Sequence, residues 1–130
     1  MEQNPAAGIT KGIYDLNVGG NLVSTLEIYS RASDKMVDFS REQAKSRALG
    51  TSGCIYRFKA INQVGGFDTK MKGYGEDWDA EYRIRMAGWG LRIVSVHYRD
   101  YERLGLTWKQ LWQKYRRRGY DLHGVLKKHE

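Results

Sequence analysis

The apolar positions fall into short runs separated by polar stretches. Over residues 9–16 and 21–30 they are β-favouring: Ile9, Ile13 and Tyr14, then Leu22, Val23, Leu26, Ile28 and Tyr29. Gly19-Gly20-Asn21 between the runs is a turn signal, so the pattern predicts an N-terminal hairpin. Residues 31–50 are polar and mixed, and predict a loop over 34–39. A short helix follows over 40–49, capped by Ser40 with Gln43 three positions on. Residues 51–58 read as a strand and 59–64 as a short helix ending at Gly65-Gly66. A longer helix is predicted over 76–87, with Trp78, Tyr82 and Met86 recurring every four residues as one large apolar side. Leu91, Ile93, Val94 and Val96 make 91–98 a strand suited to burial on both faces. A last helix over 104–119 puts Leu104, Trp108, Leu111, Trp112 and Tyr115 on one side, flanked by Lys109, Lys114 and Arg116 to Arg118. Residues 1–8 read as a loose lead-in and 125–130 as a frayed end.

The helix over 76–87 carries the candidate chemistry. Glu76, Asp77 and Asp79 stand in its first turn, where carboxylates complement exposed N–H groups and the positive end of the dipole. Asp79 to Arg83 and Glu81 to Arg85 are i,i+4 pairs with the acid first, and Gly88 is a stop signal. Acids at a helix start commonly serve capping and solubility alone. What points further is the run before them, Gly65-Gly66-Phe67-Asp68 and Gly73-Tyr74-Gly75, a loop able to approach a ligand with carboxylates at its end.

Gly65-Gly66-Phe67-Asp68, Gly75-Glu76-Asp77-Trp78-Asp79, Arg83 and Gly88-Trp89, in that order, resemble the acceptor half of family 2 glycosyltransferases, which have the GT-A fold. The resemblance is strongest over residues 51–97. It implies an α/β fold, α+β-like, in which a mixed sheet with an N-terminal hairpin is packed by helices. It implies Asp77 as general base, with Glu76, Asp79, Gly66 and Trp78 as substrate contacts, and it fits Arg57 to the arginine-bearing segment before the glycine turn. His97, at a strand end, falls where many metal-dependent members place a histidine ligand, so a divalent metal (Mn or Mg) is the expected cofactor of the complete enzyme. Gln113-Lys114-Tyr115-Arg116-Arg117 resembles the Gln-x-x-Arg-Trp motif of processive members, with arginine in place of the final tryptophan. By that likeness Arg116 and Arg117 are candidate diphosphate contacts, since guanidinium forks match phosphate oxygens.

The resemblance also implies a missing component. Asp77-Trp78-Asp79 has the letters of the Asp-x-Asp metal motif of the nucleotide-binding half, but stands in the acceptor loop. No βαβ run or glycine-rich phosphate loop precedes it. Residues 1–130 are therefore expected to form a single domain, the C-terminal portion of a GT-A enzyme without its nucleotide-binding half. The expected partners are a nucleotide-sugar, a saccharide or lipid-linked acceptor, and the missing half or another chain. Self-association through an open sheet edge is a further expectation.

Composition and charge narrow the alternatives. At 130 residues and 41% apolar, the chain is long and apolar enough for one core. Its single cysteine, Cys54, excludes an intrachain disulfide and favours a reducing compartment. No signal peptide or membrane-spanning run is present, so a cytoplasmic place, at the inner face of the membrane, is expected. The net charge is +7, and residues 99–130 hold nine Lys or Arg against four Asp or Glu, which leaves +5 in this tail. Basic residues beside the tryptophans of 104–119 suit a membrane surface as well as packing within the domain. Nucleic acid is disfavoured, because no RRM, KH, zinc or helix-turn-helix signature accompanies the charge. Two readings follow: an acceptor-side fragment of an inverting glycosyltransferase, or an interaction module of that ancestry that binds a partner chain or a membrane.

Overall fold

The computed structural model describes residues 2–15, 20–35, 50–71, 73–99 and 105–129. Its elements run β1 (Ala7–Tyr14), α1 (Leu22–Lys35), β2 (Cys54–Tyr56), α2 (Phe58–Gln63), α3 (Glu76–Met86), β3 (Gly90–Tyr98) and α4 (Trp108–Lys128). The fold is mixed α/β: among the described residues, a three-stranded sheet of order β2-β1-β3 is packed by four helices. β1 is central, antiparallel to β2 (Ile9 opposite Tyr56, Lys11 opposite Cys54) and parallel to β3 (Ala7 opposite Gly90, Tyr14 opposite Tyr98).

The expected hairpin is corrected. β1 takes its antiparallel partner from residues 54–56, and residues 22–30 are helical. Asn21 decides the matter locally: its Oδ1 accepts from Ser24 N at 2.8 Å and its carbonyl from Thr25 N at 2.9 Å, the geometry of a helix N-cap. The stripe Val23, Ser24, Glu27 and Ile28 is buried while Leu22, Leu26 and Tyr29 are exposed, a 3.6-residue period rather than an alternation. α1 takes in positions 34 and 35 of the expected loop. The rest of that loop, and the helix expected over 40–49 with Arg41, Lys45 and Arg47, lie outside the described residues.

The larger core cluster lies where α2 and α3 meet β1, and a second, Tyr14 and Ile28 with Tyr98, lies where α1 does. Ile9, Ala60 and Ile84 are fully buried in the larger one, with Cys54, Tyr56, Ile61, Val64, Trp89 and Leu91 packed around them. Gly8 makes this possible, because a methyl in its place would meet Trp89 Cβ at 2.7 Å and Ile84 Cγ2 at 2.9 Å. α2 and α3 therefore approach β1 closely at Gly8, through Ala60 and Ile84. This changes the buried side of α3. The face expected inward, Trp78, Tyr82 and Met86, is half-buried to exposed, and Asp79, Ala80, Glu81 and Ile84 are buried instead. α3 ends as foreseen at Gly88: Gly88 N donates to Arg85 O and Trp89 N to Ile84 O, a Schellman closure that α2 repeats at Gly65-Gly66.

β3 also differs from expectation. It is only half-buried, with Val96 exposed, because among the described residues β1 is its one neighbour. Between the Lys11–Ile93 and Ile13–His97 pairs, β3 spends four steps against two on β1. The surplus is a bulge seated on Gly12, where an added Cβ would collide with the Val96 carbonyl oxygen. Gly12→Ala is expected to cost about 1–3 kcal/mol, as overpacking against a backbone atom does. A urea melt checks this, and an unchanged midpoint would show that the bulge can shift to make room.

α4 begins with a capping box, Thr107 accepting from Gln110 N while the Gln110 side chain accepts from Thr107 N. It then continues nine residues beyond the expected end, so the frayed 125–130 is corrected as far as residue 129: Val125 is buried against Gly75, and Lys128 and His129 are bonded. Leu111, Lys114, Arg118, Asp121 and Leu122 are part-buried along the same side, Lys114 pairing with buried Glu27 of α1. Trp108 and Trp112 lie on the exposed side, so packing of these tryptophans within the domain is not what the fold uses. Among the described residues no helix is long and apolar enough to cross a membrane.

Candidate active site at the start of α3

The row of β1 that begins with Ile9 changes character along the strand. Ile9 and Tyr56 face each other across the apolar part, and one step further Lys11 faces Cys54. Lys11 is almost wholly buried. A charged side chain is held in such a place only among polar groups, and α3 brings them. Gly75 turns the chain into α3, so that Glu76 and Asp77 enter beside β2. Asp77 Oδ1 accepts from Trp78 N at 2.9 Å and Oδ2 from Thr51 N at 3.3 Å. A methyl placed on Gly50 would lie 3.6 Å from Asp77 Oδ2 and 3.9 Å from Lys11 Nζ, so carboxylate and ammonium border the same space.

Tyr56 completes the cluster. Its ring meets Phe67 edge-on at 5.4 Å. Burial, followed by the charges of Glu81, Cys54, Asp77 and Glu76, pushes its phenol far above the usual range. The Tyr56 hydroxyl and Glu76 Oε2 are both buried without a hydrogen-bond partner among the described residues. Buried polar atoms in that state are uncommon and call for an explanation, such as a ligand or an ordered water. Glu81, also buried, lies near enough to act on the same phenol. A carboxylate in the first turn of a helix, an adjacent unpartnered hydroxyl and a buried ammonium can together bind a hydroxyl compound and take its proton.

Asp79 has another position. It is fully buried, and its Oδ2 accepts from Arg83 Nε and Nη2 at 2.9 and 2.6 Å. Its Oδ1 meets Lys128 Nζ and His129 Nε2, each at 2.8 Å. Lys128 Nζ also donates to Asp68 Oδ2 at 2.7 Å, and the His129 ring packs on Tyr82 at 4.1 Å. This cluster ties the end of α4 to the start of α3 and to the Gly65–Asp68 turn. Burial opposes the charge on Asp79, but hydrogen bonds from Lys128, Arg83 and His129 outweigh it and hold the carboxyl below its ordinary value. Gly66 lies in the open part of that turn, with nothing within 4 Å of where a Cβ would be. Trp78 is half-buried beside the cluster acids. Arg57 is tied to the backbone of the lead-in, donating to Ala7 O and Asn4 O, and stacks over Trp89.

His97 lies toward the carboxyl end of β3. Its Nδ1 is 2.6 Å from Asp15 Oδ1, and Arg99 Nε is 3.6 Å from the other oxygen. The His97 hydrogen bond leads the causes that hold the Asp15 carboxyl below its ordinary value. Such a pairing orients an imidazole for a metal. The remaining ligands are not gathered: among the described residues no group of three or more His, Cys, Asp or Glu is arranged to hold an ion. The described residues do not fit a divalent site. Arg116 and Arg117 are exposed on α4, Arg117 reaching Asp121 at 3.9 Å, and no described contact brings either to the Asp77 cluster.

The family model described as glycosyl transferase family group 2 matches residues 1–122. The chain belongs to that family. Comparison with curated proteins and with solved structures finds no match. The stretch matched by the glycosyltransferase family takes in Lys11, Tyr56, Glu76, Asp77 and Glu81, while Lys128 and His129 lie past it. The sequence pattern marks Glu81 only as an ion-pair partner for Arg85, and marks neither Lys11 nor Tyr56 as a site residue. Lys11 carries the one available signal, a charge on the core-facing register of an otherwise apolar strand, two positions from Ile9 and two from Ile13. Tyr56 and Glu81 read as ordinary strand and helix residues.

Proposed function

We propose that this glycosyltransferase chain supplies the acceptor side and the general base of an inverting, nucleotide-sugar-dependent transfer to a hydroxyl. What supports it most is the single space bordered by Asp77 Oδ2 and Lys11 Nζ, next to the unpartnered Tyr56 hydroxyl and Glu76 carboxylate. The acceptor hydroxyl lies against Asp77, with Glu76 and Tyr56 holding its neighbouring hydroxyl groups. Asp77 takes the proton as the acceptor oxygen attacks the anomeric carbon. The bond from that carbon to the nucleoside diphosphate breaks on the opposite face, the leaving group departs with the electron pair, and the configuration inverts. Asp79 acts here as a positioning group through Arg83, Lys128 and His129 rather than as an acceptor contact. The proposal assigns the departing diphosphate to none of His97, Arg116 and Arg117. Its donor-binding half is the nucleotide-binding part of the GT-A fold, in this protein or in another chain.

The test is acceptor-dependent release of nucleoside diphosphate from UDP- and GDP-sugars, with Tyr56→Phe as the diagnostic variant. Losing one hydrogen bond to the acceptor is expected to lower kcat/KM about threefold to tenfold. Removing a buried hydroxyl that has no partner is expected to leave the thermal midpoint unchanged or raise it. A variant with lower stability and unaltered kinetics would turn Tyr56 into a packing residue and take the acceptor site away from this face.

A further inference from the structure

α4 is amphipathic with its polarity reversed. The side toward its own domain carries Lys114, Arg118 and Asp121 beside Leu111, Leu122 and Val125. The outward side carries Trp108, Trp112 and Tyr120, exposed by 62%, 68% and 74%. Trp108 and Trp112 are one turn apart, and Leu126, also exposed, falls in the same row further along. Lys109, Arg116, Arg117 and Lys127 are exposed around them. The only acid in the helix, Asp121, faces inward, accepting from Tyr74 N at 3.0 Å. Arg117 reaches Asp121 at 3.9 Å, and the outward side is otherwise aromatic and cationic.

We propose that this side of α4 is a docking surface for an anionic lipid bilayer. A 21-residue helix lying flat covers about 30 Å. Tryptophan and tyrosine settle at the boundary of headgroups and acyl chains, and adjacent lysine and arginine meet anionic headgroups. Each cation near such a surface strengthens binding about fivefold, so Lys109, Arg116 and Lys127 supply an attraction that two tryptophans alone do not. A convex single helix with Trp108, Trp112 and Leu126 in one row suits a plane. Single-stranded nucleic acid is bound in a groove that tracks its backbone, with aromatic platforms set along it. This surface is distinct from the transfer site and does not depend on the chemistry assigned there.

The test is flotation of the full chain with vesicles of phosphatidylcholine, alone or mixed with phosphatidylglycerol, together with tryptophan emission. Flotation is expected with the mixed vesicles only, with a blue shift on binding and release at high salt. Trp108→Ser combined with Trp112→Ser is expected to weaken binding at least about tenfold. Lys109→Glu combined with Arg116→Glu should do at least as much. All four positions face solvent, so circular dichroism melts should match the parent chain. Absence of flotation overturns the proposal, as does equal flotation with neutral vesicles or binding that the double tryptophan variant retains. Dimers held by the tryptophan pair without lipid binding would give the face to a second copy. Binding of oligouridylate in place of vesicles would give it to nucleic acid.

Discussion

Asp77→Asn is expected to lower glycosyl transfer by about 10²- to 10⁴-fold, the usual contribution of a positioned general base. The substitution keeps the shape of the side chain. The amide oxygen can still accept from Trp78 N, as Asp77 Oδ1 does now, so the first turn of α3 should persist. What disappears is the ability to take a proton at the position of Oδ2, which accepts a long hydrogen bond from Thr51 N. Initial rates should fall without a comparable change in KM, because the lost interaction belongs to the transition state. Thermal melts of the variant and the parent should coincide within a few degrees. Full turnover by Asp77→Asn would remove this residue as the base and leave Glu76 as the next carboxylate to examine.

Asp79→Ala is expected to produce the largest loss of stability, about 3 kcal/mol. That is the low end for removing one partner of a buried ion pair, because Arg83 and Lys128 keep some solvent access. The cost arises from three donors left around an empty position: Arg83, Lys128 and His129. A midpoint shift of roughly 10 °C should follow in a chain of this size. Hydrogen exchange should loosen first at the end of α4. The pH dependence has a definite sign. Asp79 titrates below its ordinary value of 3.8 in the folded chain, so its stabilisation is present above that value and is lost as pH falls below it. Lys128 titrates above its ordinary value of 10.5, raised by hydrogen bonds to Asp68 and then Asp79, so its share is present below that value and is lost as pH rises past it. The alanine variant should flatten the acid limb of the stability profile. A loss under about 1 kcal/mol, typical of an exposed pair, would mean that apolar packing such as Val125 on Gly75 holds α4 by itself.

The parts legible in the sequence are those decided within a few residues. The first-turn acids and Gly88 delimit α3 because a dipole and a left-handed closure are local effects. Gly65-Gly66 closes α2 for the same reason. The mixed α/β class and the glycosyltransferase family were legible because the string from Gly65 to Trp89 holds its order whatever the chain does elsewhere. The misread parts were decided at a distance. Val23, Ile28 and Tyr29 favour a strand on their own, and only a stripe buried against the rest of the fold, with Asn21 capping it, makes α1. The inward side of α3 depends on Gly8, far away on β1. The length of α4 depends on Asp79, which holds Lys128 and His129. Lys11 was visible as a misplaced charge, but its meaning depends on acids that arrive more than sixty positions later.

The pairing of β1 with β3 has a kinetic consequence. Ala7 lies opposite Gly90 and Tyr14 opposite Tyr98, so the two longest strands are parallel neighbours that stand far apart in the chain. About two thirds of the polypeptide must be looped before the central strand gains its parallel partner, and that closure entropy is lost before any bond of that ladder repays it. α2 and α3 with their glycine closures can form early, since their hydrogen bonds are local. The sheet, and with it the burial of Lys11, comes late. Refolding of this chain should accordingly be slow for its size, with helical signal preceding the protection of β1 amides. During that interval β1 exposes an unpaired edge, which makes dilution and low temperature the conditions that favour recovery over aggregation.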